Sequence, residues 1–293
     1  MFNSVEEYLD ALQDEMKDAD PALAQDAQAD AREHLSLALD AAREKAPDGS
    51  EADALKSIVE EYGTPEETAS AYREIERRTS PSLKRDSKPK SIWGRVFGVY
   101  VDPRTWGSLL FMFITFVTGI IYFTWAVTGT MLSLSLMILI IGAPFAILFL
   151  LSVQGLALLE GRLVEALLGV RMPRRPLFAQ PGLTWGERLK ALINDKHTWL
   201  SLLYFILQMP LGVLYFSLMV TLILFSLGVI IIPIGQWVFR FPTYQINSVG
   251  YYLPVWSLLL IQLGGFLLLT LTMHLARGIG WLHGRYAKAL LVS

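Results

Sequence analysis

Four stretches of this chain, residues 107–129, about 134–158, 200–222 and 254–276, each continue for more than twenty positions without an Asp, Glu, Lys or Arg. A helix of about 20 apolar residues covers a hydrocarbon core about 30 Å thick, and in lipid only helices or closed barrels satisfy every backbone N–H and C=O. Runs of this length restrict the fold to an all-α, polytopic membrane helical bundle with four spans. A further apolar stretch, residues 224–238, carries Pro233 and is short for a span. It is expected to re-enter the membrane or lie at its surface.

Charge divides the chain into two parts. Residues 1–80 hold 21 Asp+Glu against 8 Lys+Arg, whereas residues 81–293 hold 6 against 17, which describes an acidic soluble head joined to a basic membrane body. Arg162, Arg171, Arg174, Arg175, Arg188, Lys190 and Lys196 crowd into the middle connection, and the other connections hold little beyond Arg240. By the positive-inside rule the N-terminus, residues 160–197 and the C-terminus face the cytoplasm. Trp106, Trp185, Trp199 and Trp281 then fall at the inner interface, and Trp125, Trp237 and Trp256 at the outer one. The chain has no cysteine, which excludes disulfides, thiolate metal sites and cysteine nucleophiles. No apolar stretch of signal-peptide length precedes Trp106.

The head reads as four short helices. Ser4 and Glu7 fit a capping box ahead of "VEEYLDALQDEM", and Pro21 suits the first turn of the long second helix. Pro47 to Ser50 form a turn, "EADALKSIVEEY" is stopped by Gly63, and Thr64-Pro65-Glu66-Glu67 opens the fourth helix. His34 lacks a second ligand at metal-binding spacing and belongs to a helix surface or core. "YLDALQDEM" and "IVEEYGTPEETASAY" resemble the HAAS-type helical domain that precedes many bacterial membrane proteins, often encoded beside PadR-like transcription regulators. That resemblance covers roughly residues 1–76 and implies a cytosolic interaction module without catalysis. Residues 79–96, with Lys84, Arg85, Lys88, Lys90 and Arg95, read as a basic linker that lies on anionic lipid or fixes topology.

The membrane body repeats itself. At an offset of 93, Asp102, Thr105, Trp106, Ser108, Leu109 and Leu110 match Asp195, Thr198, Trp199, Ser201, Leu202 and Leu203. Gly119, Tyr122 and Phe123 match Gly212, Tyr215 and Phe216 in the same register. At an offset of 123, Leu159, Gly161, Arg162, Ala166 and Leu167 match Leu282, Gly284, Arg285, Ala289 and Leu290. Matches that persist in order across two apolar segments indicate a duplicated unit. The copies are expected at 97–175 and 176–293, the second with about 30 extra residues, each a two-span hairpin ending in an amphipathic helix, 159–170 and 282–291. An even number of spans per copy predicts that the halves run parallel. In each copy Asp or Thr caps the first helix as it leaves the interface, and Trp106 and Trp199 anchor its depth.

"WLSLLYFILQMPLGVLYFSLMVTLI", "GLALLEGRLVEALLGVRMP" and "HLARGIGWLHGRYAKALL" resemble the sensor domain of bacterial, especially actinobacterial, signalling proteins over residues 95–293. In kinase members of that family the last helix feeds a histidine kinase core. The chain stops at Ser293 without one, so the resemblance implies sensing or scaffolding with the head as output.

Chemistry-bearing residues are few. No Asp, Glu, Lys or Arg lies within the span cores, which argues against an ion-coupled pump. Gln208 and Gln262 are amides in lipid that need partners, and with Tyr122 and Tyr215 they form the candidate ligand-binding set; interhelical hydrogen bonding is the competing reading. Glu160, beside Arg162 and Glu165, is expected on a solvated helix face. His197, His274 and His283 are not spaced as metal ligands, and no nucleophile motif, P-loop or dinucleotide fingerprint occurs. No catalytic residue, cofactor or metal is expected. The residues point to a non-catalytic inner-membrane sensor that couples a lipid or envelope signal to a cytosolic partner. The alternatives are a lipid carrier or lipid-modifying enzyme, and a structural assembly protein. Expected partners are membrane lipids, a cytosolic protein bound through residues 1–78, such as a PadR-like regulator system, and a second copy in a homo-oligomer; direct contact with nucleic acid is not expected.

Overall fold

A computed structural model describes residues 2–45, 50–78, 91–138, 142–174 and 185–292, apart from the side chains of residues 51 and 185–189. Among the described residues, the regular structure is helical except for one small β-hairpin, and the chain divides into two compact units. Unit 1 comprises Met1–Lys84, Ile121–Leu207 and Gly284–Ser293, and unit 2 comprises Arg85–Ile120 and Gln208–His283.

The head contains the four expected helices, α1 (Val5–Glu15), α2 (Pro21–Lys45), α3 (Glu51–Tyr62) and α4 (Pro65–Arg78). Capping fixes where they begin. Glu7 N–H donates to Ser4 Oγ at 3.2 Å, but the Glu7 carboxylate reaches Asn3 N–H at 2.7 Å, one residue beyond the expected box. Thr64 and Glu67 close the full reciprocal box, at 2.9 and 3.3 Å. Gly63 ends α3 at φ 110°, a conformation that side chains with a Cβ rarely adopt. Tyr8, fully buried, donates its hydroxyl to Gly63 O at 2.9 Å and lies 3.1 Å from Thr68 Oγ1. Burial raises its pKa. Leu12, Leu35, Leu55 and Ala69 complete the core from one helix each. Pro47–Gly49 of the expected turn and residues 79–90 of the expected linker lie outside the described residues. The rest of that linker is not extended: Ile92–Phe97 form a short helix, α5, followed by a 3-10 turn at Gly98–Tyr100.

The membrane body contains α6 (Pro103–Leu136), α7 (Gly142–Leu168), α8 (Trp185–Asn194), α9 (Lys196–Phe239), β1 (Tyr244–Ile246), β2 (Val249–Tyr251) and α10 (Val255–Leu291). Four helices are long and apolar enough to cross a membrane: α6 with its α5 lead, α7, α9 and α10. Three boundaries differ from expectation. Leu134–Leu136 close α6 instead of opening the second span, and residues 159–168 and 282–291 continue α7 and α10 as single rods. Residues 224–238, expected as a separate short segment, extend α9 without a break, so that Pro210 and Pro233 lie inside one 44-residue helix. An apolar helix gains more from keeping its backbone bonded internally than it loses at two prolines. The connection after α9 folds into a tight β-hairpin with positive φ at Asn247 (49°) and Ser248 (64°), the conformation a two-residue turn demands.

In unit 2 the backbones of α6 and α9 touch. A Cβ on Gly119 would lie 2.7 Å from Gln208 O, and one on Gly212 would lie 2.5 Å from Thr115 O. Thr115 and Gln208 are 93 residues apart, as are the two glycines, so the contact is reciprocal. The helices run antiparallel here, with Phe113 and Phe116 both packing on Phe216. The two-fold relation at this crossing therefore lies across the helices, whereas the span count predicts halves that run parallel. The absence of side chains at both glycines is what lets the backbones meet.

Gly119→Ala and Gly212→Ala are each expected to destabilise the protein by about 1–3 kcal/mol, because backbone cannot move aside for the added methyl. Gly278→Ala, with nothing within 4 Å of its added Cβ, is expected to be neutral or to stabilise by up to about 1 kcal/mol through helix propensity. Thermal unfolding in detergent compares the three.

Candidate functional site

The charges that the sequence presents as topology signals have a second role in unit 1. After α7 the chain turns at Gly169, φ 69°, and Arg171 folds back into the protein with 8% of its side chain exposed. Its Nη2 donates to Asp26 Oδ2 at 2.8 Å, its Nε to Glu76 Oε2 at 3.1 Å and its Nη1 to Met172 O at 2.7 Å. Glu165 Oε1 lies 3.6 Å from the same Nη1. Arg174 adds an ion pair to Glu165 at 2.6 Å and donates its backbone N–H to Asp26 Oδ1 at 2.5 Å. The Glu165 hydrogen bond raises the Arg174 pKa, so this cation does not titrate in any physiological range. Lys288 near the end of α10 pairs with Asp20 at 2.5 Å. Helices α2 and α4 of the head are thus tied to the ends of α7 and α10. A planar guanidinium with acceptors on every nitrogen is the cation best suited to such burial.

The duplicated Asp-x-x-Thr-Trp is a structural joint in both places. In unit 2, Asp102 Oδ1 accepts Arg104 N–H at 3.0 Å and Trp106 Nε1 donates to Tyr100 O at 2.8 Å. In unit 1, Asp195 accepts the N–H groups of His197 and Thr198, both at 3.1 Å, and Trp199 Nε1 donates to Ile193 O at 2.6 Å. Each tryptophan reaches the carbonyl six residues back, and each is about half exposed. Each aspartate also receives a donor from another helix: Arg277 Nη1 of α10 at 3.2 Å for Asp102, and Gln154 Nε2 of α7 at 3.3 Å for Asp195. Gln154 and Arg277 are 123 residues apart, the second repeat offset.

Glu160 is not solvated. It is fully buried and accepts the Tyr204 hydroxyl at 2.9 Å. The buried Tyr122 hydroxyl interacts electrostatically with the same carboxyl, although it completes no hydrogen bond of good geometry among the described residues. In unit 2 the position 123 residues on is His283, 1% exposed, with Nδ1 at 3.3 Å from Tyr215 OH and its ring 4.8 Å from Phe111. Tyr122 corresponds to Tyr215 and Phe111 to Tyr204 at the offset of 93. The two units therefore build the same constellation with an acid in one and an imidazole in the other. Identity matching passes over both residues because Glu and His differ; their shared alignment column is the signal that points to them.

Of the expected ligand set, Gln208 is fully buried at the glycine crossing and Gln262 is half-buried. Gly265, one turn from Gln262, packs on Ile230, about 33 Å of helix along α9 from Gln208. The two amides are therefore not brought together. Tyr122 and Tyr215 lie in different units, each beside its own titratable partner. His34 stacks on Tyr62 at 4.6 Å, and His274 Nε2 lies 3.0 Å from Val96 O. Among the described residues no three His, Asp or Glu side chains are grouped to hold a metal ion. Lys190 is exposed, whereas Arg175 and the side chains of Trp185 and Arg188 lie outside the described residues.

No curated protein and no solved structure matches the chain. The family described as "Putative sensor" matches residues 113–291, a range that includes Gly119, Glu160, Arg171, Gly212 and His283 and leaves the head outside. More than half of the chain lies within that match, and the protein, with four helices fit to cross a membrane, belongs to this sensor family.

Proposed function

We propose that the chain is a non-catalytic sensor of the bacterial inner membrane that couples a lipid or envelope signal to a cytosolic protein bound by the head, residues 1–78. The observation that carries this reading is the buried Arg171 cluster. It joins the head helices α2 and α4 to the end of α7, with Lys288–Asp20 tying α10 beside it, so a signal that repacks those ends alters what the head presents. Such coupling requires that the signal prefer one packing over the other. The acidic composition of the head and its HAAS-like motifs support a protein partner, with a PadR-like regulator system as the first candidate. The reciprocal contacts at Gly119 and Gly212, and the paired Gln154–Asp195 and Arg277–Asp102 contacts, support reading 97–175 and 176–293 as two copies. Trp106 and Trp199 serve as interface anchors, with the N-terminus, residues 160–197 and the C-terminus in the cytoplasm.

Arg171→Ala leaves the buried Asp26 and the partly exposed Glu76 without their cation, and about 3–5 kcal/mol of local stability is expected to be lost. Hydrogen exchange of residues 21–45 and 65–78 in the full chain should accelerate accordingly, with Arg171→Lys intermediate because it lacks the planar fork. Unchanged exchange in Arg171→Ala would remove the coupling route. Turnover or transfer of labelled lipid by the purified protein in vesicles would replace the sensor reading with that of a lipid carrier or lipid-modifying enzyme.

A further inference from the structure

We propose that Glu160 is a proton-binding site of unit 1, and that uptake of a proton there loosens the contacts that hold the head. This rests on the sensor reading and adds to it a chemical input, the proton.

Burial restricts what this site can bind. Glu160, Tyr204 and Phe205 are fully buried and Tyr122 is 2% exposed. Their rings pack on one another, Tyr122 on Phe205 at 4.7 Å and Tyr204 on Tyr286 at 5.3 Å. A ligand of several atoms would have to part these rings, whereas a proton needs no cavity. The carboxyl lies in α7, a helix fit to cross a membrane, where ionisable side chains are rare and mark functional positions. Each packing helix turns a titratable group toward it. Tyr204 of α9 donates its hydroxyl to Glu160 Oε1 at 2.9 Å, Tyr122 of α6 interacts electrostatically with the same carboxyl, and Tyr286 of α10 stands against Tyr204. On α7 itself Arg162 and Glu165 follow within about a turn and a half, 3.8 Å from each other, and Glu165 also holds Arg174. His197 precedes Tyr204 by about two turns of α9.

The two protonation states of Glu160 differ in their hydrogen bonds. Burial works against the carboxylate and donated hydroxyls work for it. Ionised, Glu160 is an acceptor for hydroxyl groups. With one proton added from water it becomes a carboxylic acid, its own O–H a donor, and Tyr204 then meets a neutral acceptor, to which a hydrogen bond is roughly half as strong.

Two short routes lead from this carboxyl to the head. Gly161 follows Glu160 and Met172 follows Arg171, and these two meet: a Cβ on Gly161 would lie 3.4 Å from the fully buried Met172 side chain. Arg171 holds Asp26 and Glu76 of the head. The second route passes from Tyr204 to Tyr286, two residues before Lys288 and its pair with Asp20. The routes join where Val170 closes on Gly284, with an added Cβ at 2.6 Å from Val170 Cγ2. Weakening the Tyr204 bond therefore acts on both ties of the head.

The test uses the full chain in phosphatidylglycerol/phosphatidylethanolamine nanodiscs. Infrared difference spectra between neutral and acidic buffer are expected to contain the C=O band of a buried, unhydrated carboxylic acid, and this band is expected to be missing from Glu160→Gln. At one neutral pH, Glu160→Gln imitates the protonated side chain. Its amide hydrogens in residues 21–45 and 65–78 are expected to exchange about tenfold faster than those of the unsubstituted chain, the equivalent of one hydrogen bond to a charged group. Tyr204→Phe removes that bond from the other side while keeping the ring on Tyr286, and the same acceleration is expected, which guards against misfolding of the Gln variant. Absence of the band, or unchanged exchange in either variant, overturns the proposal. Arg171→Ala separates it from the sensor reading: acceleration there with none in Glu160→Gln and Tyr204→Phe overturns the proton site and leaves the sensor reading standing.

Discussion

The start of a long apolar helix leaves backbone N–H groups without partners, and the way this chain meets them organises the rest of it. Asp102 and Asp195 each accept the first N–H groups of the helix they precede. Each keeps enough capacity for a donor from a helix far along the chain, Arg277 or Gln154. A cap that serves two helices is also a packing contact, so helix initiation and tertiary assembly are solved at one residue. At both places the carboxylate and the indole that reaches back six residues act together as one joint.

Away from these joints, the buried cation Arg171 is fully partnered. Arg171 satisfies every guanidinium nitrogen with Asp26, Glu76 and Met172 O. Removing one partner from such a cluster costs more than the cluster contributes when whole. Glu160 and His283 have tyrosines as partners. The two units thus carry an acid and an imidazole at equivalent places of the register.

Much was legible in the sequence because it depends on local patterns. Apolar run length determined the helical membrane class, the Ser, Thr, Pro and Gly signals determined the four head helices, and two register offsets related the halves of the body. Composition could not show where long helices end, since an apolar stretch and its amphipathic extension form one rod when packing favours it, as in α7, α9 and α10. Nor could it separate Gln208 from Gln262, two similar amides far apart along the helices.

What the sequence by itself determined is everything carried by periodicity: element type, the acidic head, the basic connection and the repeated joint. The tertiary structure alone decided that α6 and α9 cross antiparallel in unit 2, that Arg171 is a buried clamp and that Glu160 is enclosed. The reason is physical. A charge or a glycine has the same local preferences whether it faces water or another backbone, and only the distant residues that close around it decide which.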